Sequence, residues 1–400
     1  MRQFLPVVSD PALRALAGLM VLLGAVLCSF GPVTSVLAVQ VFELGDSGFA
    51  ALLVVSTLMS VAGSVYVGIR ADQTAGRRRI ALLSCGLMVV GTGMMVVRPG
   101  SAMFVLAHGL VLPLASTLFG QLFAQARLAA AAHGEARDSI MVMIRALFAL
   151  PFVVVLPLWS VAYAHGVSIL AVYPVCLVMS GAMLALTAGF WPRDGGADRP
   201  SGLSFRAALA ELAQGPLALR VLALGAVNAS GTLYMALIGL VLVQSVGRGP
   251  ADVALYAGLV AGLEVPFMLA LPLFISRWSR TKAIFWGTVL YVTHVLALPL
   301  LAGSPWLWLA IVPAAAGGAV ILTLPIAYLQ DLLSDRPGTG AALMALQRLS
   351  GDVMAAICFA VGTAISGYGL VAVLGAVVSL SGAVVLHLAD QRQLKNPGDA

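Results

Sequence analysis

The sequence predicts an all-α membrane protein of twelve transmembrane helices, arranged as two six-helix halves. Three observations lead there. Hydrophobic residues make up 61% of the 400 residues and charged residues 10%, whereas a soluble domain carries about 25% charged residues. So few charges cannot cover a water-exposed surface, so the solvent around most of the chain is lipid. Apolar runs close to the ~20 residues that cross ~30 Å of hydrocarbon recur along the whole chain. One long polar stretch near the middle divides these runs six and six.

The spans are expected at 14–40, 48–69, 80–97, 102–124, 140–163, 167–190, 218–243, 252–276, 283–302, 305–329, 341–365 and 368–389. Gly, Pro and charge mark the breaks, as at Gly45-Asp46-Ser47, Arg98-Pro99-Gly100, His165-Gly166, Gly247-Arg248-Gly249-Pro250 and Gly303-Ser304-Pro305. The run after Arg14 is too long for the core of a cleaved signal peptide and is read as the first span. The four cysteines, Cys28, Cys85, Cys176 and Cys358, each lie inside an apolar run without metal-ligand spacing and are expected to be small buried hydrophobes.

Lys and Arg give the orientation. With the N-terminus inside, eighteen of the 22 basic residues fall in cytoplasmic segments, and only Arg98 and Arg248 fall in outer loops. Arg145 and Arg348 lie within spans or at their edges. Shifting the count by one span scrambles this bias, so both termini are expected on the cytoplasmic side of the membrane. The net charge of +6 is thereby accounted for by topology, with no aromatic interleaving that would suggest nucleic acid.

The polar stretch from Trp191 to Pro216 contains Pro192, Gly195, Gly196, Pro200 and Gly202 and charges of both signs. It reads as a linker over 192–217 between an N-terminal bundle, 1–191, and a C-terminal bundle, 218–400. Weak internal similarity supports a repeat. Phe123-Ala124-Gln125 closes span four and Ile144-Arg145-Ala146-Leu147 follows in span five. Tyr328-Leu329-Gln330 closes span ten and Gln347-Arg348-Leu349-Ser350 follows in span eleven.

The segment Gly68-Ile69-Arg70-Ala71-Asp72, followed by Gly76-Arg77-Arg78-Arg79, resembles the loop signature of the major facilitator transporters, with the second Gly one residue later than usual. That family is a parallel repeat of two six-helix bundles. A narrower resemblance, to bacterial sugar efflux transporters of the Set type, rests on three stretches. They are Ala261-Gly262-Leu263-Glu264-Val265-Pro266-Phe267-Met268, then Tyr328-Leu329-Gln330-Asp331 with Gly338 and Ala341, and Gln121-Leu122-Phe123-Ala124-Gln125-Ala126-Arg127 with Met143-Ile144-Arg145-Ala146. The sequence departs from that family at Val155-Leu156-Pro157, after Tyr234, and at Asp352, which replaces an apolar residue.

A charge inside a span costs at least about 2.5–3.5 kcal/mol, so each one needs a reason. Glu264, mid-span with apolar neighbours, reads as a proton carrier or as a packing carboxyl. Asp352 and Arg348, four apart on one helix face, read as an intrahelical pair, with Asp352 a second proton site if it titrates. Arg145 and Arg348 occupy matching places in the two halves and offer forked donors to a solute, or snorkel to the interface. Asn228, Tyr234, Gln121 and Gln330 are further solute-binding candidates, beside Gln40, Gln125, Tyr291 and His294, although any one of these is more often glue between helices. His108 and His294 read as satisfied interior histidines. Asp72 with Arg77, Arg78 and Arg79 is expected to latch the cytoplasmic side, with Asp331 as the counterpart in the second half.

No H-E-x-x-H, G-x-S-x-G or P-loop is present in the sequence. An enzyme, an ATP-driven pump, a cofactor and a metal are therefore not expected. The resemblance implies proton-coupled efflux of a small sugar or glycoside by a monomer. The alternative is a proton-coupled drug or metabolite exporter of the same fold, favoured by the scarcity of polar residues in spans one, three and six.

Overall fold

The computed structural model describes residues 5–74, 77–191, 215–275, 278–332 and 337–395. Most of the expected linker lies outside them. Among the described residues there is no β-strand, and twelve helices are long and apolar enough to cross a membrane. They are α1 (Pro11–Phe30), α2 (Gly45–Thr74), α3 (Arg77–Val97), α4 (from Ser101 to Ala131, interrupted), α5 (Arg137–Ala164), α6 (Val172–Phe190), α7 (Gly215–Gly239), α8 (Pro250–Ile275), α9 (Arg280–Leu301), α10 (Ile311–Leu332), α11 (Pro337–Ile365) and α12 (Tyr368–Lys395). Each of the expected spans overlaps one of these helices.

The helix ends follow from local chemistry. Asp10 caps α1, its Oδ1 accepting from Ala12 N at 2.7 Å and Leu13 N at 3.4 Å, with Pro11 filling the first turn. Ser279 caps α9 by accepting from Lys282 N at 3.3 Å. The helices α5 and α11 end at Gly166 and Gly367, whose φ values of +83° and +85° are reached cheaply by glycine alone. Wide π-type turns interrupt α4 at Ala107–Val111 and continue α7 at Leu240–Ser245. Pro151 and Pro157 lie inside α5, Pro299 inside α9 and Pro325 inside α10.

The chain divides into two compact units, one of Met1–Val33 and Leu58–Leu203, the other of Thr34–Thr57 and Ser204–Ala400. In the first unit, α1 packs on α5 and α6, and α3 packs on α6. In the second, α7 packs on α11 and α12, and α9 packs on α12. The pairings repeat with a shift of six helices, as two copies of one packing scheme require. The central helices also correspond: the α1 span is 67% buried and the α7 span 72%, against 28% for α5 and α6.

Close approach in the centre of the second unit depends on glycine. A Cβ at Gly351 of α11 would stand 2.6 Å from the Gly225 carbonyl oxygen of α7, so only glycine lets these backbones meet. In the first unit, Gly24 of α1 faces the Phe148 carbonyl of α5 in the same way. Polar side chains tie the helices further: Trp159 Nε1 donates to Ser29 Oγ at 2.8 Å, and Ser379 Oγ donates to the Ala226 carbonyl at 2.9 Å. The segment Thr34–Thr57 is held within the second unit by Phe49 edge-on to Phe359 at 5.3 Å. There the Tyr368 hydroxyl donates to Gln244 Oε1 at 2.7 Å and lies 3.0 Å from Asp46 Oδ1. All four cysteines are free and buried. His108 is a satisfied interior histidine, its Nε2 3.0 Å from the Tyr173 hydroxyl and its ring stacked on Phe104.

Candidate functional site

Two polar foci stand out in the apolar interior of the second unit. The first is built around Glu264. The residues of α8 carry it to mid-span, and its carboxyl lies against the backbone of α10 at Gly318. A Cβ at position 318 would overlap Glu264 Oε1 and stand 3.1 Å from its Cδ and 3.4 Å from Tyr291 Cε2. Glycine at 318 is therefore what opens the seat for the carboxyl.

Tyr291, whose Cε2 borders this seat, belongs to an aromatic cluster drawn from three helices. Tyr291 and His294 come from α9, one turn apart on one face, with Tyr234 from α7 and Tyr256 from α8. The His294 ring lies 4.9 Å from Tyr234 and 5.7 Å from Tyr291, edge to face, and stacks on Tyr256 at 5.9 Å. The Tyr256 hydroxyl is 3.1 Å from His294 Nδ1. The Tyr234 hydroxyl is buried without a hydrogen-bond partner. A buried hydroxyl without a partner is uncommon in a folded protein, so the Tyr234 hydroxyl marks a place where a polar atom or a water can be accommodated.

The second focus is Asp352 on α11. Thr232 of α7 donates to its Oδ1 at 2.6 Å, and Thr57 donates to its Oδ2 at 3.3 Å. Arg348, one turn earlier on α11, places Nε 3.6 Å from the same Oδ2. The side chains of Arg348 and Asp352 are 70% and 14% exposed, so the carboxylate is enclosed while most of the guanidinium is not. Asn228, one turn before Thr232 on α7, faces Gly351, where a Cβ would stand 3.2 Å from its Nδ2. Asn228, Thr232, Arg348 and Asp352 thus share one seam between α7 and α11.

The remaining expected residues are dispersed. Tyr234 is 2% exposed and belongs to the Glu264 focus, away from the Asp352 seam. In the first unit Gln121 is buried and accepts from Arg77 Nη1 at 3.5 Å, a long bond. Arg78 Nη2 donates to the Ala188 carbonyl at 2.6 Å, Arg79 is exposed, and Arg145 on α5 is exposed. The side chains of Asp72, Gln330 and Asp331 lie outside the described residues. Among the described residues, no group of His, Cys, Asp and Glu is placed to hold a metal ion.

Sequence reasoning missed Thr57, Thr232 and Gly318, the direct neighbours of the two carboxyls. Thr232 carried a faint signal, four residues after Asn228 on the same face. Thr57 and Gly318 carried none, because threonine and glycine are ordinary in membrane helices.

No family model matches the chain. A protein of Deinococcus radiodurans that bears the name of a sugar efflux transporter is 29% identical over 381 residues, covering 90% of this chain and 93% of that protein. The fold matches the crystal structure of the nucleoside transporter NupG with a TM-score of 0.75 at 13% identity, covering 94% of this chain and 99% of the other. It matches a POT family transporter solved with a thioalcohol-conjugated peptide at 0.74 and 12% identity, covering 95% and 96%. It also matches a human organic anion transporter at 0.64 and 16% identity, covering 96% and 99%.

Proposed function

We propose that this chain is a secondary transporter of the major facilitator type that exports a small sugar or glycoside in exchange for protons. The observation that carries the reading is the Glu264 carboxyl seated in a membrane span against Gly318. A carboxyl there carries either a proton or a charge, and the two states pack differently on α10. The name of the Deinococcus relative, together with the Ala261–Met268 segment that holds Glu264, supports a sugar as the solute.

In this reading the Asp352 seam binds the solute, and Asp352 is also a second proton site. Asp352, Arg348 and the Asn228 amide supply the acceptors and donors that sugar hydroxyls need. The sequence reading adds Arg145, Gln121, Gln330 and Tyr234 as solute-binding candidates. The mechanism is alternating access, with six-helix halves over 1–191 and 218–400 joined by 192–217. Asp72 with Arg77, Arg78 and Arg79, and Asp331 in the second half, latch the cytoplasmic side. The protein acts as a monomer in a bacterial inner membrane with both termini in the cytoplasm. The Tyr291 ring at the Glu264 seat, with Tyr234 packed against it, favours a second reading, proton-coupled export of a drug or metabolite such as a lipophilic cation, since aromatic faces attract cations.

The test is proton movement in liposomes holding the purified protein and an internal pH dye, with sugars and lipophilic cations added in turn. A sugar that triggers a proton flux, lost in Glu264→Gln, is the expected result. Flux triggered only by lipophilic cations selects the second reading. Full proton-driven export by Glu264→Gln refutes the role of Glu264.

A further inference from the structure

We propose that the groove between the first turns of α9 and the last turns of α12 binds an anionic phospholipid, headgroup at Lys282 and first acyl segment along the apolar walls. The groove holds about 310 Å³ and is lined by Lys282, Phe285 and Trp286 of α9 and by Val384, His387 and Leu388 of α12. Both helices are membrane spans, Arg280–Leu301 and Tyr368–Gln391. Lys282, in the first turn of α9, therefore sits where hydrocarbon gives way to headgroups, and the groove runs from it into the bilayer.

Three features fit this occupant. Trp286, one turn deeper than Lys282, and Trp278, just before the helix, are each 47% exposed. Indole rings settle at the bilayer interface, where one end is apolar and the other wet. The Lys282 ammonium lies 5.4 Å from the Trp278 ring centroid, which keeps it at the mouth of the groove. Phe285, Val384 and Leu388 line the groove with hydrocarbon, suited to an acyl chain.

Charge selects the headgroup. Lys282 forms no ion pair with a described carboxylate, and the groove lining contains no acidic residue. The nearest acid on α12, Asp390, is already engaged, accepting from Thr281 Oγ1 at 3.2 Å and from the Tyr328 hydroxyl at 3.3 Å. His387 is fixed as part of the wall, with Nδ1 3.2 Å from Thr281 Oγ1 and Nε2 3.0 Å from Gln391 Nε2. A phosphodiester with net negative charge complements the Lys282 ammonium at the mouth. A choline headgroup brings a second cation beside Lys282 and is disfavoured.

The experiment reads lipid retention and is independent of any transported solute. Full-length protein purified in detergent is titrated with equal amounts of dioleoyl phosphatidylglycerol and dioleoyl phosphatidylcholine, and retained lipid is counted by native mass spectrometry. One phosphatidylglycerol should be retained with about a fivefold preference, the value of one lysine at a membrane surface. Lys282→Glu should remove that preference, and Leu388→Trp, which fills the groove without changing charge, should remove the retained lipid. Thermal unfolding of both variants controls for folding. Equal retention of the two lipids by the wild type, or an unchanged preference in a folded Lys282→Glu variant, overturns the proposal.

Discussion

The contact between Glu264 and Gly318 makes a quantitative prediction for Gly318→Ala. The new methyl carbon would overlap Glu264 Oε1 and stand 3.1 Å from Cδ, where relaxed carbon contacts lie at about 3.5–4.0 Å. Tyr291 Cε2, at 3.4 Å, blocks the other direction. The carboxyl is the free end of a flexible side chain, so it yields before the backbones do, by roughly 1 Å. Overpacking costs about 1–3 kcal/mol, and alanine in place of glycine returns about 1 kcal/mol of helix propensity, so the net loss of stability is at most about 2 kcal/mol. Function should suffer more, since a displacement of this size at a reacting group costs on the order of 100-fold in rate. The assay is the initial rate of solute-triggered proton flux in liposomes, with thermal unfolding measured in parallel. The shorter acid in a Gly318→Ala, Glu264→Asp double variant should recover part of the rate, because it withdraws the carboxyl from the methyl. Wild-type flux in Gly318→Ala, at unchanged stability, refutes a role for this contact in coupling.

Three further outcomes follow from the same geometry. Thr232→Val keeps the shape of the side chain but removes the 2.6 Å donor to Asp352; the loss of ~1.4 kcal/mol or more should raise the KM for solute about tenfold with little change in kcat, and an unchanged KM would detach Thr232 from binding. Gly351→Ala drives a Cβ into the Gly225 carbonyl, 2.6 Å away on a backbone that cannot step aside, and should destabilise the second unit by about 1–3 kcal/mol, read as a lower unfolding temperature in detergent. At the membrane edge, partial burial works against the Asp10 carboxylate, but the hydrogen bonds from His133, 3.0 Å away, and from the Ala12 and Leu13 amides outweigh it and hold its pKa below the ordinary value. A lowered carboxyl pKa contributes stability that is present above the unfolded-state value of about 3.9 and is lost as pH falls through the folded-state value. Asp10→Asn, which keeps a capping oxygen, should therefore unfold at a lower temperature than the wild type near neutral pH, and the gap should close below about pH 4; a gap independent of pH would show that the charge contributes nothing.

The twelve spans and the six-plus-six repeat were legible in the sequence, and the reason is lipid. Hydrocarbon fixes the length of each crossing segment and makes every buried charge expensive, so Glu264, Arg348 and Asp352 stand out against their neighbours. The pair between Arg348 and Asp352 was also readable, since four residues is one helical turn and needs no knowledge of the fold. What surrounds those charges was decided by tertiary structure alone. Gly318 faces Glu264, and Thr57 and Thr232 bond Asp352, only because particular helix faces meet. Glycine and threonine cost little in a membrane helix, so their positions leave no mark on composition or periodicity. Tyr234 and Asn228, six residues apart on α7, looked equivalent in the sequence; packing assigned one to the Glu264 focus and the other to the Asp352 seam, because a helix sends residues at that spacing to different faces.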